Sequence, residues 1–200
     1  MFYEFRGYRP VVHETAFVHP QANVTGNVFI GAHCYIGPGA VLRGDWGEIR
    51  LEEGCNIQEN CVVHMFPGRS AYFGAGAHVG HGAIIHGAHL EENTMVGMNA
   101  VLMDDVRLGA HSIVGALSFL KGEMKIPPRS LVVGNPARIV KELSDEMIAW
   151  KRKGTGLYQQ LPKDCHESLK VCEPLRQAEE GRLGRQAFAE FESLKRTKRK

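Results

Sequence analysis

Residues 94–132 read TMVGMNAVLMDDVRLGAHSIVGALSFLKGEMKIPPRSLV, and in them Val96, Leu102, Leu108, Val114, Leu120, Ile126 and Val132 recur at every sixth position. A shorter run, Val24, Ile30, Ile36 and Leu42, keeps the same period. The residue two before each aliphatic is small or β-branched, as in Cys34, Ala40, Thr94, Ala100, Val106, Ser112 and Ser118. The residue after it is often glycine, as in Gly31, Gly37, Gly97, Gly109 and Gly115. A period of six does not suit an amphipathic helix, which repeats at about 3.6. It suits a solenoid: each hexapeptide supplies a short strand and a corner, and three close one triangular coil. The aliphatics then stack inside on their equivalents about 4.8 Å away. Glycine is expected at the corners for its access to positive φ.

The rest of the composition is permissive. The chain has 200 residues, a formal charge of +2 and no apolar stretch long enough to span a bilayer. Nothing in it calls for nucleic acid or an anionic membrane as partner. Met1 to Pro10 carries charges and aromatics, which argues against a secretory signal. Five cysteines without a CxxC pair argue against a disulfide framework and for a reducing cytoplasm. Cys34 and Cys61 fit the small inward slot and read as core. Cys55, Cys165 and Cys172 show no reactive context.

The repeat is interrupted around Gly44 to Glu53 and again at Met65 to Ser70, and one hexad, Ile85 to Leu90, is a residue short. If loops absorb the excess, Leu42, Val63 and Ile85 stack. The residues that follow them, Arg43, His64 and His86, then line one edge on three successive coils. Two imidazoles about 5 Å apart on one edge are able to share a metal ion, with each nitrogen about 2 Å from zinc. His81 follows Val79-Gly80 and falls on a different corner; a homotrimer of such prisms would bring it to the pair from a neighbouring chain. Gln58, by the same count, lies one coil from Gly80 and beside His81. His13, His19, His33, His78, His89 and His111 read as ordinary surface or corner residues.

After the repeat, Ser144 is placed to cap a helix that has Asp145 and Glu146 in its first turn and runs to about Lys153. Further helical segments are expected near Asp164 to Cys172 and Arg185 to Leu194. The domain reading is a β-helix over 1–136, a helical extension over 137–182, and a basic tail over 183–200, partly helical or disordered. The final Lys195–Lys200 stretch reads as a solvated tail, or as a feature that attracts CoA phosphates or an acidic partner.

Four segments, Leu42-Arg-Gly-Asp45, Asn56-Ile-Gln58, Val63-His64 and Gly80-His-Gly-Ala-Ile-Ile-His86-Gly, closely resemble the γ-class carbonic anhydrase family. The resemblance runs from about Pro10 to Leu143. Handedness does not follow from the period, because parallel crossovers are normally right-handed. Resemblance to hexapeptide-repeat proteins implies a left-handed parallel β-helix with C-terminal α-helices. It also implies that His64, His81 and His86 bind zinc, or iron or cobalt, two from one subunit and one from the next. Arg43 and Asp45 match an ion pair near the subunit interface, with a role in holding the trimer favoured over a catalytic one. Gln58 matches a residue near the metal-bound water, and Tyr158 a tyrosine that the family often places near the metal, or else an aromatic that packs the helix. Glu59 stands where the family commonly has aspartate, and Gln58, Glu59 and Tyr158 are the candidate catalytic side chains.

The loop Met65-Phe-Pro-Gly-Arg-Ser70 lacks the acid that shuttles protons in the fast carbonic anhydrases of the family. Its form, the chain length and the C-terminal extension look closest to a branch that accompanies phenylacetate or carnitine metabolism, with phenylacetate preferred. Both contexts run on CoA thioesters. The leading expectation is therefore a zinc hydrolase of acyl-CoA thioesters, since hydroxide on zinc can attack a thioester carbonyl and a thiolate leaves without a strong acid. The alternatives are a carbonic anhydrase acting on CO2 and bicarbonate, a metal-free hexapeptide acyltransferase with a histidine base, and a non-catalytic accessory protein of CoA metabolism. The three matched histidines argue against the acyltransferase.

Overall fold

The computed structural model describes residues 1–181, and within it every aliphatic of the six-residue series is buried. Three columns result. Val24, Leu42, Val63, Ile85, Leu102 and Leu120 stack on one face. Ile30, Leu51, Phe73, Leu90, Leu108 and Ile126 stack on the second. Val18, Ile36, Ile57, Val79, Val96, Val114 and Val132 stack on the third. The chain is a left-handed parallel β-helix with one core running its length. Each buried Val, Leu or Ile contributes about 1.5–3 kcal/mol. Cys34 and Cys61 point inward as expected, and Cys55 does too, stacked one coil above Cys34.

The glycines after the aliphatics are needed for a reason other than the expected one. Gly31, Gly37, Gly97, Gly109 and Gly115 are absent from the positive-φ positions. A Cβ on Gly97 would lie 2.4 Å from the Ala116 nitrogen, and one on Gly109 2.5 Å from the Pro128 nitrogen. Close stacking of backbone on backbone excludes the side chain there. Positive φ occurs at the turn after it, where Asn60, Asn93 and Asn99 sit beside glycines such as Gly82. Asparagine tolerates this region better than most residues.

The first interruption is not a loop. Val41–Leu51 is one eleven-residue strand that turns from the first face to the second, paired with Asn23–Ile30 across a register shift. The second interruption is a loop, closed by a hydrogen bond from the Gly68 amide to the Trp46 carbonyl of 3.0 Å. Leu42, Val63 and Ile85 stack as the count requires.

The extension over 137–182 begins with a strand instead of a helix. Ala137–Glu142 turns back antiparallel on Ser130–Gly134 and closes the end of the third face. One helix follows, α1, Asp145–Ser168, with Ser144 as its cap, accepting from the Met147 amide at 3.4 Å. It runs past the expected end near Lys153, so the Gly154-Thr-Gly156 segment lies inside it. Packing against the third face outweighs the helix cost of glycine, about 1 kcal/mol each. Asp164 belongs to the last turn of α1, and Leu169–Cys172 is not helical. The expected segment Arg185–Leu194 and the basic end lie outside the described residues. Among those described, no helix is long and apolar enough to cross a membrane.

Lys151 fastens α1 to the prism. It is 3% exposed, and its Nζ donates to the Gly76 carbonyl and to Asn93 Oδ1, each at 2.8 Å. Both acceptors are neutral, and burial pushes the amine down to about 7. An unfolded lysine titrates at about 10.4. Between these values the unfolded chain binds more protons, so stability rises with pH through the window. Thermal melts between about pH 7 and 9.5 are expected to show that rise, and Lys151→Met to flatten it.

Candidate metal centre

His64 and His86 are register partners on neighbouring strands, with ring centroids 5.4 Å apart. This is the pair that the coil count placed on one edge. Arg43 completes the column, with Nη2 3.1 Å from His64 Nδ1. His81 lies on the corner before the first face, as expected, with its side chain 46% exposed. Among the described residues no three His, Cys, Asp or Glu side chains of this one chain gather into a metal-binding group.

Each of the three histidines is held by a carboxylate. His86 Nδ1 donates to Asp104 Oδ2 at 2.7 Å, and His81 Nδ1 pairs with Glu59 Oε2. In both rings this leaves Nε2 as the outward nitrogen. Histidine ligands of metals usually donate their other N–H to such a partner, which fixes tautomer and orientation. His64 differs: Nε2 is 3.0 Å from Asp45 Oδ1 while Nδ1 faces the Arg43 guanidinium, so both nitrogens are engaged. To serve as a ligand it must release one of them, and Asp45 keeps Arg43 Nη1 as a partner at 2.8 Å. Burial, the main cause, holds His64 below its ordinary pKa, which favours the neutral form that a metal requires. Asp45 is pushed up by burial but ends below the usual carboxylate range, because His64 and Arg43 both donate to it. Three imidazoles backed in this way fit a zinc-like divalent ion by donor type.

Two aromatics that the sequence reading passed over frame the pair. Trp46 comes from the long strand and Phe66 from the loop; their ring centroids lie 4.9 Å from His64 and His86 respectively. Both are exposed. Asp104 was passed over too, although it sits one coil beyond His86, where a stacked partner belongs.

Gln58 lies in register with Gly80, but its amide bonds to Asn56 Oδ1 at 2.9 Å and to His78 Nε2 at 2.8 Å, not to His81. His78 is no ordinary surface residue. It is partly buried beneath α1, where desolvation pushes it down to about 3, and its buried Nδ1 has no partner. Tyr158 is inside α1, not after a helix. It meets His78 edge-on at 5.0 Å and Tyr35 at 6.1 Å. Tyr35 in turn donates to Glu59 Oε1 at 3.2 Å. Thus Gln58, Glu59, His81 and Tyr158 share one corner, tied together through His78 and Tyr35.

A family model for bacterial transferase hexapeptides (six repeats) matches residues 9–44 and 87–122. The carnitine operon proteins CaiE of Escherichia coli O7:K1 and K12 are each 47% identical over 181 residues, covering 90% of this chain and 92% of theirs. The chain belongs to the CaiE family of hexapeptide-repeat proteins. These CaiE relatives carry a carnitine name, whereas the resemblance given above prefers the phenylacetate side of the branch. Among solved structures, a Bacillus cereus protein assigned as an acetyltransferase superposes with a TM-score of 0.82 at 26% identity, covering 83% of this chain and 96% of its own. A hexapeptide transferase family protein from Anaplasma phagocytophilum gives 0.78 at 33%, covering 82% and 96%.

The carboxylate pairing makes a direct prediction. In metal-free protein the His86 proton is expected on Nδ1, and Asp104→Ala should return it to Nε2, the preferred site of a free imidazole. Nitrogen-15 spectra of the ring distinguish the two.

Proposed function

We propose that the chain is a metal-dependent hydrolase of acyl-CoA thioesters. Its metal is held between subunits of a homotrimer, by His64 and His86 of one chain and His81 of the partner subunit. The observation that carries this reading is that all three histidines are backed by carboxylates, although they sit on two different corners of the chain. Corners too far apart within one chain are useful together only if another copy brings its own. When bound, the ion would supply Lewis acidity and a nucleophile at neutral pH.

The chain's own residues do the rest. Asp104 and Glu59 hold His86 and His81 in the tautomer that presents Nε2. Arg43 and Asp45 occupy His64 until it is needed, and their mutual ion pair keeps Asp45 charged afterwards. The Gln58 amide is spent on Asn56 and His78, so its carbonyl oxygen is the end left to orient an attacking group. Tyr158 walls the corner from α1. Thioester hydrolysis suits this set because a thiolate departs without a strong general acid, and the loop over His86 presents Phe66 where a proton-shuttling acid would be needed for fast CO2 hydration.

A second reading, acyl transfer, is favoured by the transferase names of the family model and of the two solved structures. It needs an acceptor and no metal. The deciding experiment is thiol release from acyl-CoA esters with and without chelator, and with and without an added amine acceptor. Release that a chelator stops and the acceptor does not change supports hydrolysis. Release that requires the acceptor and ignores the chelator replaces it with transfer. His81→Ala is expected to lose bound zinc by elemental analysis while keeping the mass of the wild-type assembly in solution; full occupancy in this variant would end the shared-site reading.

A further inference from the structure

Under α1 and next to His81 lies a cavity of about 230 Å³. Gln58, His78, His81 and Tyr158 give it a polar end. Met95, Met98, Ile113 and Ala116 are among its apolar walls, and no carboxylate lines it. A packing defect between a helix and a sheet would be lined by apolar groups alone. Here His78 lines the polar end, and its ring nitrogen Nδ1 is buried with nothing to bond to. Buried polar atoms in native proteins are nearly always paired, so an exception calls for a missing partner.

We propose that this cavity is an acyl subsite, taking a small uncharged acyl group whose CoA portion stays outside. The inference rests on the thioester reading above and adds the substrate class to it. Pockets for drug-sized ligands run to roughly 300–1,000 Å³. The cavity is smaller, so it has room for a short acyl group and none for the nucleotide. His78 is neutral in this setting and takes a proton of the Gln58 amide on Nε2, which leaves a hydrogen on Nδ1 to give to a carbonyl oxygen. Without a carboxylate in the walls, a quaternary ammonium acyl group would give up its hydration among Met, Ile and Val side chains with only the Tyr158 ring to face it. The subsite therefore selects against a cationic substrate of the same length. Met95 and Ile113 form the deeper wall, whereas Met98 and Ala116 lie at the exposed rim.

The test uses the zinc-loaded full-length protein labelled with carbon-13 at its methionine methyls, and butyramide as an unreactive stand-in for the acyl group. The Met95 and Met98 signals are expected to shift saturably while Met65 and Met124 stay in place. Trimethylammoniobutyramide should leave all four unmoved. Ala116→Trp, a rim substitution that closes the mouth, should abolish the shifts and leave the remaining methionine signals as they were. In thiol-release assays it should lower kcat/KM for butyryl-CoA by about tenfold or more relative to acetyl-CoA, the scale expected when a few methylenes lose their pocket. Absence of methyl shifts at saturating butyramide, or shifts that survive Ala116→Trp, would overturn the subsite. Methyl shifts without any thiol release would uphold the subsite and refute hydrolysis.

Discussion

Everything in this molecule depends on one set of parallel backbone hydrogen bonds between successive coils, such as Gly97 to Val114 at 2.8 Å and Gly115 to Val132 at 2.8 Å. These bonds put residues one coil apart directly over one another. Stacking of like on like then follows without further instruction. Aliphatics meet aliphatics in the core, glycines meet the backbone of the next coil, and at the corners histidine meets histidine. The site is a by-product of that register, because a ligand pair arises wherever two coils carry imidazole at one corner.

The period of six was legible because the core admits only aliphatics at those positions, and the strand columns follow from it. The caps and turns were partly legible: Ser144 announced α1 by its side chain and by the acids after it. What the sequence reading missed came from contacts that no local pattern records. Gly154 and Gly156 look like a helix end, yet α1 continues through them because the third face holds it in place. The Gly44–Glu53 interruption looks like a loop, yet it is a strand that bends from one face to another.

The candidate site divides in the same way. His64, His86 and the separate corner of His81 follow from counting coils, and the counting needed only one assumption, that the loops absorb the excess residues. Asp104, Trp46, Phe66 and His78 were not foreseen. Asp104 lies one coil beyond His86, so stacking alone would have found it. His78 is different: its importance comes from α1, which returns across the third face and buries it. Burial by a distant segment leaves no trace in local spacing. The same return explains Tyr158, which reaches the corner only because the helix is long enough to carry it there.

The register also limits how such a chain can change in length. Removing one residue from a strand would turn every later side chain in that coil from core to surface. Removing a whole coil would leave each column intact, merely shorter. Extra residues are accommodated only at corners, as in the Phe66–Arg69 part of the second interruption, where they are exposed and disturb no stack while Met65 stays in the core. Insertions and deletions are therefore sorted by size and place: whole coils anywhere away from the histidine corners, any number at a corner, and almost none between. The histidine pair adds a further restriction, because the coils that carry His64 and His86 must remain adjacent.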